Sequence, residues 1–198
     1  MAQAIDPVIN PAACWTAIRR TDRPLAVEVR DIGHLSTVAG HLAEQSPFER
    51  CSAGTVDAAV AGLGDIPDVL AADIRDLTHR FAGLMQVDEV RIRLEGINTN
   101  ACRKIHADYT DVRLITTYSG PGTEYLPHGQ ATSEENLVRL PAGHVALFKG
   151  RLFAEGHEPC LHRSPPVGDT GEKRLVLVID TPLDEERAKI LRAMPVRG

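Results

Sequence analysis

Apolar positions recur with a helical period in the first part of the chain. Residues 67–85 carry apolar side chains three and four positions apart, which predicts a helix with one buried face. Residues 33–45 and 55–63 show the same period over shorter lengths and are also predicted to be helical. Residues 23–32 instead alternate between apolar and polar and predict a strand. The first 22 residues contain proline breaks and predict an irregular arm.

From residue 88 onwards the period changes from helical to strand-like. Several short segments are rich in β-branched residues and bounded by Gly, Pro, Asn or Asp, which predicts strands. These segments are residues 90–97, 112–119, 136–140, 144–150 and 173–180. Residues 182–198 return to a helical pattern after Thr181, a residue type that suits a helix N-cap.

These patterns predict one domain over residues 1–198. Its class is α+β, with a mainly helical part over residues 1–87 and a C-terminal helix over 182–198. Several short strands joined by turns favour a sandwich or barrel, so residues 88–181 are expected to form a β-barrel with the helices packed outside it.

Composition narrows the range of partners. The net charge is −5 and no cluster of Lys and Arg is present, so we expect no nucleic-acid partner. No apolar run is long enough for a membrane span, and the N-terminus does not resemble a secretory signal, so we expect a cytoplasmic protein. The expected partner is a small-molecule substrate or a protein side chain. The helical part also offers a surface for a homodimer.

The first candidate for chemistry is the tripeptide His106-Ala107-Asp108. Residues two apart on a strand point to the same side, so an imidazole nitrogen and a carboxylate oxygen would face one point. A metal ion needs such an arrangement, although this tripeptide alone is a weak signal.

The second candidate is His162, which is followed by a turn and then by a strand that begins with Arg174. Burying the charge of Arg174 without a partner would be costly, so we expect an anion beside it. Two His and one carboxylate form the three-ligand set of non-haem Fe(II) oxygenases, which leaves positions open for a cosubstrate and dioxygen. A 2-oxo acid would chelate the iron, and Arg174 is the candidate cation for its far carboxylate.

The order of these motifs resembles the Fe(II)/2-oxoglutarate dioxygenases, especially the prolyl-hydroxylase-like branch. The similar segments are His106-Ala107-Asp108, the RLITTYS segment with Arg113, Thr116 and Tyr118, Gly122-Thr123-Glu124, residues 141–148, His162, Pro166-Val167, Gly171 and Arg174. The resemblance implies a double-stranded β-helix of the cupin or jelly-roll type. It also implies that His106, Asp108 and His162 hold Fe(II), that Arg174 holds 2-oxoglutarate, and that Thr116 or Tyr118 faces inward to contact cosubstrate or substrate.

Two further stretches, HADYTDVRLITTYSGPGTEYL and KGRLFAEGHEPCLHRSPP, resemble the bacterial family of the domain of unknown function 1826. This resemblance covers most of the chain. It implies no reaction, but it does imply that the two stretches belong to one site.

Two alternatives to the iron enzyme stay open at this point. Cys160 lies two residues before His162 and Cys102 lies four before His106, and thiolates favour zinc over iron. His157 adds a further nitrogen nearby, so a zinc protein or zinc enzyme on the same barrel is the second hypothesis. The third is a non-catalytic binding module on this fold.

Overall fold

The computed structural model of the chain describes residues 11–182. In chain order its elements are α1 (Pro11–Ala17), β1 (Leu25–Glu28), α2 (Ser36–Ala43), β2 (Phe48–Thr55), α3 (Val56–Ala61), α4 (Asp68–Met85), β3 (Glu89–Ile97), β4 (Val112–Ser119), β5 (Glu124–Tyr125), β6 (Val138–Arg139), β7 (Val145–Lys149), β8 (His162–Arg163), α5 (Val167–Thr170) and β9 (Arg174–Asp180). The helix predicted over residues 182–198 lies outside the described residues from residue 183 onwards.

The strands form two antiparallel sheets. The large sheet has the order β1-β7-β4-β9-β3-β2, and the small sheet has the order β6-β5-β8. The mixed α and β class with antiparallel sheets is thereby confirmed, while closure of the sheets into a barrel stays a prediction.

Strand β9 lies in the middle of the large sheet and is buried at all seven positions. Its side chains alternate between the two faces of the sheet. Leu175, Leu177 and Ile179 belong to the main core, which they share with the helices. Val176 and Val178 belong to a smaller apolar cluster on the opposite face, which also contains side chains adjoining the small sheet.

Helix α4 covers the outer face of the large sheet, as its periodicity predicts. Leu70, Ile74, Leu77 and Phe81 are fully buried in the main core. Helices α2 and α3 pack into the same core, so the N-terminal helices lie outside the sheet, as expected.

Three sequence predictions need correction. Residues 11–17 form helix α1, although an irregular arm was expected there. The segment 48–55 forms strand β2, which pairs with β3 over eight residues and was not predicted because its alternating positions are weakly apolar. The large sheet therefore includes β1 and β2 and is not confined to residues 88–181. Within residues 11–182, none of the helices combines the length and the apolar character needed to cross a membrane.

The position of Leu177 between sheet and helices predicts a large effect on stability. Leu177→Ala should lower the free energy of unfolding by about 2–5 kcal/mol, because it leaves a cavity in a close-packed core. Chemical denaturation measures the change. Val29→Ala, at a site that is 55% exposed, is the control and should change stability by no more than about 0.5 kcal/mol. Equal small effects of both changes would contradict the assignment of this face as the main core.

Candidate metal centre

The side chains of His106, Asp108 and His162 converge on one point. One ligand atom from each lies within 4.8 Å of the others. His162 Nε2 lies 3.1 Å from Asp108 Oδ2, and His106 Nε2 lies 3.6 Å from Asp108 Oδ1. Residues separated by more than fifty positions in the chain therefore form one cluster of two nitrogen donors and one oxygen donor, the set expected from the sequence.

A backbone bridge brings the two histidines together. The amide of His106 donates to the carbonyl of His162 at 3.0 Å, and the amide of His162 donates to the carbonyl of His106 at 2.8 Å. Such a reciprocal pair places the two side chains on the same side of the strands. The ring centroids lie 4.8 Å apart, and the ring of Phe148 on β7 packs against His162 at 4.6 Å.

The outer nitrogens of both rings are held by main-chain carbonyls. His106 Nδ1 lies 2.8 Å from the carbonyl oxygen of Lys104, and His162 Nδ1 lies 3.2 Å from that of Cys160. A carbonyl oxygen only accepts hydrogen bonds, so the contact assigns the ring proton to Nδ1. In the neutral ring the lone pair then lies on Nε2, which faces Asp108, and this is the usual preparation of a metal-ligating histidine.

Asp108 supplies the third donor from a buried position. Burial would raise the pKa of Asp108, but the rings of His106 and His162 and the guanidinium of Arg113 hold it well below its usual range. Oδ1 pairs with Arg113 Nη1 at 2.7 Å. Oδ2 is buried and accepts no hydrogen bond, although His162 Nε2 is close. Two ring nitrogens and a carboxylate that lie close together, with Oδ2 left without a hydrogen-bond donor, form a donor set that fits a divalent metal ion.

Arg174 lies in the same cavity with its charge buried. The residue is 1% exposed, and its guanidinium donates to the carbonyl of Pro121 at 2.5 Å and to the hydroxyl of Ser164. Weaker contacts reach Thr123 Oγ1 at 3.2 Å and Thr117 Oγ1 at 3.4 Å. All of these partners are neutral.

No carboxylate among residues 11–182 forms an ion pair with Arg174. Glu95 and Glu124 act on its charge only through longer-range electrostatics. Burial lowers the pKa of Arg174 to about 10, so the guanidinium still carries its charge at neutral pH. A buried cation surrounded by neutral acceptors favours an anionic ligand, as the sequence predicted.

The turn between β4 and β5 shapes this end of the cavity. Gly120 has a φ of 80°, and a Cβ atom there would lie 2.0 Å from the carbonyl oxygen of Lys173. A Cβ atom at Gly122 would similarly lie 1.8 Å from the carbonyl oxygen of Leu140. The two glycines therefore permit the close packing that brings the carbonyl of Pro121 onto Arg174.

One cavity of about 560 Å³ joins the three-ligand cluster to Arg174. Ile115, Val176 and Val178 contribute an apolar part of its wall, on the inner face of the large sheet. Pro47 and Phe48, at the β2 side of the sheet, line its outer part. The cavity can therefore hold a small anion beside a metal ion.

The structure places Thr116 and Tyr118 on the wrong face for the predicted contact. Thr116 pairs in register with Val145 and Leu177, which belong to the main core. Tyr118 is buried in the same core, and its hydroxyl donates to Asp73 at 2.6 Å. Neither side chain lines the cavity.

Thr117 and Thr123 contact Arg174 instead, whereas Thr116 and Tyr118 are the residues that the sequence predicted to contact cosubstrate or substrate. Strand alternation counted from Arg113 is the signal that could have found Thr117, since residues 113, 115 and 117 share one face. Thr123 and Ser164 lie in segments for which the sequence gives no such guide.

The alternative ligands do not join the cluster. Cys160 is buried in the smaller apolar cluster, and burial raises the pKa of its thiol. Cys102 lines the cavity, and burial raises the pKa of its thiol as well. His157 Nε2 lies 2.8 Å from the carbonyl oxygen of Gly150, away from the three ligands. Within the described residues, the metal-like group contains only His106, Asp108 and His162.

Comparison with solved structures identifies proteins of similar fold. The dioxygenase for auxin oxidation of rice has a TM-score of 0.58 and 13% sequence identity, covering 87% of this chain and 78% of that one. The dioxygenase for auxin oxidation 1 of Arabidopsis thaliana, in complex with 2-oxoglutarate, has a TM-score of 0.51 and 10% identity, covering 89% and 91%. JOX2, in complex with 2OG, Fe and JA, has a TM-score of 0.53 and 9% identity, covering 87% and 71%. Identities this low show a shared fold only.

Comparison with protein families gives a match over most of the chain. The family described as "Protein of unknown function (DUF1826)" matches residues 6–180. Comparison with curated proteins gives no match.

The cluster predicts that metal binding depends on His106 and not on Tyr118 or Cys160. His106→Gln should lower the affinity for Fe(II) or Co(II) by more than about 100-fold, because changing even a residue behind a ligand costs about 10- to 100-fold. Tyr118→Phe and Cys160→Ser are matched controls and should retain wild-type affinity. Anaerobic metal titration of the folded proteins measures all three, and loss of metal in Cys160→Ser would contradict the three-ligand assignment.

Proposed function

We propose that this chain, which belongs to the DUF1826 family, is an Fe(II)- and 2-oxoglutarate-dependent oxygenase. The observation that carries the proposal is the pairing, in one cavity, of a three-ligand cluster with a buried guanidinium that has no carboxylate partner within residues 11–182. A three-ligand cluster or a buried guanidinium alone would fit several functions, but the two together match a metal ion and a dicarboxylic 2-oxo acid.

The ligands in this proposal are His106 Nε2, His162 Nε2 and Asp108 Oδ2. Both Nε2 atoms lie beside the Asp108 carboxylate, and Oδ2 is the carboxylate oxygen that accepts no hydrogen bond. Three protein ligands leave coordination positions open for other molecules. When bound, Fe(II) with 2-oxoglutarate supplies the dioxygen activation needed to oxidise an unactivated C–H bond.

Arg174 recognises the far carboxylate of 2-oxoglutarate in this scheme. Ser164 and the carbonyl of Pro121 hold the guanidinium in place through hydrogen bonds. The hydroxyls of Thr117 and Thr123 contact its Nη2 atom. Thr123 also lines the cavity, so its hydroxyl offers a further donor to an incoming carboxylate. Electrostatic attraction and directed hydrogen bonds thus orient the cosubstrate before reaction.

The walls of the cavity exclude water from the bound cosubstrate. Ile115, Val176 and Val178 form an apolar surface between the ligand cluster and the strand positions of Arg174 and Thr117. Water exclusion strengthens the electrostatic contacts within such a site. The primary substrate, a small molecule or a protein side chain, would enter past Pro47 and Phe48 at the outer part of the cavity.

The fold comparisons support the oxygenase class. Two of the similar proteins are described in complex with 2-oxoglutarate, and one of these with Fe as well. Sequence identity to them is only 10% and 9%. The metal ligands are therefore assigned from the positions of the residues in this chain.

Arg174→Gln tests the proposed cosubstrate contact. The dissociation constant of 2-oxoglutarate from the Fe(II)-loaded protein should rise about 10- to 100-fold, because a charge-assisted contact worth about 1.5–3 kcal/mol is lost. Anaerobic titration calorimetry measures this change, and Fe(II) affinity should stay at the wild-type value.

The controls separate this contact from a general loss of charge. Arg75→Gln removes a guanidinium that is exposed and pairs with Asp57 away from the cavity, so its 2-oxoglutarate affinity should match wild type. 2-Oxobutyrate, which lacks the far carboxylate, should bind wild type and Arg174→Gln equally. Unchanged 2-oxoglutarate affinity in folded, iron-loaded Arg174→Gln would overturn the proposed role.

A further inference from the structure

A row of charged side chains extends from Asp108 across the inner face of the large sheet. Arg113 Nη1 pairs with Asp108 Oδ1 at 2.7 Å. The same guanidinium donates two hydrogen bonds to Asp180, from Nε to Oδ1 and from Nη2 to Oδ2, both at 2.8 Å. Arg91 Nη2 reaches Asp180 Oδ2 from the far side at 3.3 Å.

Strand register fixes this arrangement. Asp180 on β9 lies directly opposite Arg113 on β4 and directly opposite Arg91 on β3. Side chains opposite each other in antiparallel strands share a face and lie in contact range. Asp180 is 4% exposed, so its carboxylate needs these partners to remain charged.

We propose that Arg113 and Asp180 are positioning residues that make Asp108 a one-oxygen metal ligand. The inference rests on the metal site of the proposed function. The forked contact to Asp180 fixes the plane of the Arg113 guanidinium, and its remaining nitrogen then occupies Asp108 Oδ1. Charge-assisted bonds of this kind are short and strongly directional.

The consequence for the metal lies in how many coordination positions Asp108 can fill. With Oδ1 held by Arg113, only Oδ2 is offered to the ion, and Oδ2 accepts no hydrogen bond. Without Arg113 in this orientation, both carboxylate oxygens become available to one ion. The pair therefore keeps a position free that a chelating 2-oxo acid needs.

A purely structural role predicts a different outcome. The contacts of Asp180 also link β4, β9 and β3, so their loss could lower the free energy of unfolding without touching the metal. The test therefore needs a spectroscopic readout of the metal environment in folded protein, in addition to affinity.

Asp180→Asn keeps the shape of the side chain but removes its charge. We expect the affinity for Co(II), measured without 2-oxoglutarate, to fall about 10- to 100-fold, because Asp108 is no longer held in its ligating orientation and has to be ordered when the ion binds. The visible spectrum of the Co(II) protein should also change, because the coordination by Asp108 changes. Arg113→Lys, which keeps the charge but cannot contact both aspartates through a fork, should show the same two effects.

Arg91→Lys is the matched control. Arg91 contacts Asp180 but not Asp108, so its replacement should leave Co(II) affinity and spectrum at wild type. If Asp180→Asn does not fold, Arg113→Lys decides the question.

Wild-type Co(II) affinity or a wild-type Co(II) spectrum in folded Asp180→Asn or Arg113→Lys would overturn the inference. This failure is distinct from failure of the proposed function, in which the wild-type protein itself binds no 2-oxoglutarate in the presence of Fe(II).

Discussion

The alternation of side chains along β9 is the constraint on which both the core and the candidate site depend. Its apolar residues on one face fill the main core beneath helix α4, and its residues on the other face include Arg174 and Asp180. Because the side-chain period of a strand is two, a shift in register by one residue would exchange the two faces completely. Stability and chemistry are thus set by one pairing register.

The two buried guanidinium groups on the inner face of the large sheet have different partners. Arg113 is balanced by Asp108 and Asp180, so its charge is satisfied within the protein. Arg174 is surrounded by hydroxyls and a carbonyl, and no carboxylate of residues 11–182 forms an ion pair with it. In the proposed function, the first guanidinium orients a metal ligand and the second binds the cosubstrate.

Local patterns predicted the elements with strong periodicity and the residues of the ligand cluster. Strand β4 and helix α4 follow their predicted segments closely, and His106, Asp108 and His162 converge as the spacing indicated. The prediction failed where position depends on long-range pairing. Strand β2 has weakly apolar positions and is held in the sheet by its register with β3.

The sequence also predicted the wrong residues of β4 to face the cavity. Thr116 and Tyr118 face the helices, because Arg113 faces the cavity and strand positions alternate from it. The contact between Arg113 and Asp180 joins residues 67 positions apart, and no local motif indicates it. Ser164 approaches Arg174 for a similar reason, since the turn after β8 is placed by the tertiary fold.

The central claim is that one cavity binds Fe(II) and 2-oxoglutarate together. The most direct measurement is the visible absorption spectrum of the wild-type protein under anaerobic conditions as the two are added in turn. A weak charge-transfer band should appear only when both Fe(II) and 2-oxoglutarate are present. Folded protein that binds Fe(II) but shows no such band at saturating 2-oxoglutarate would contradict it.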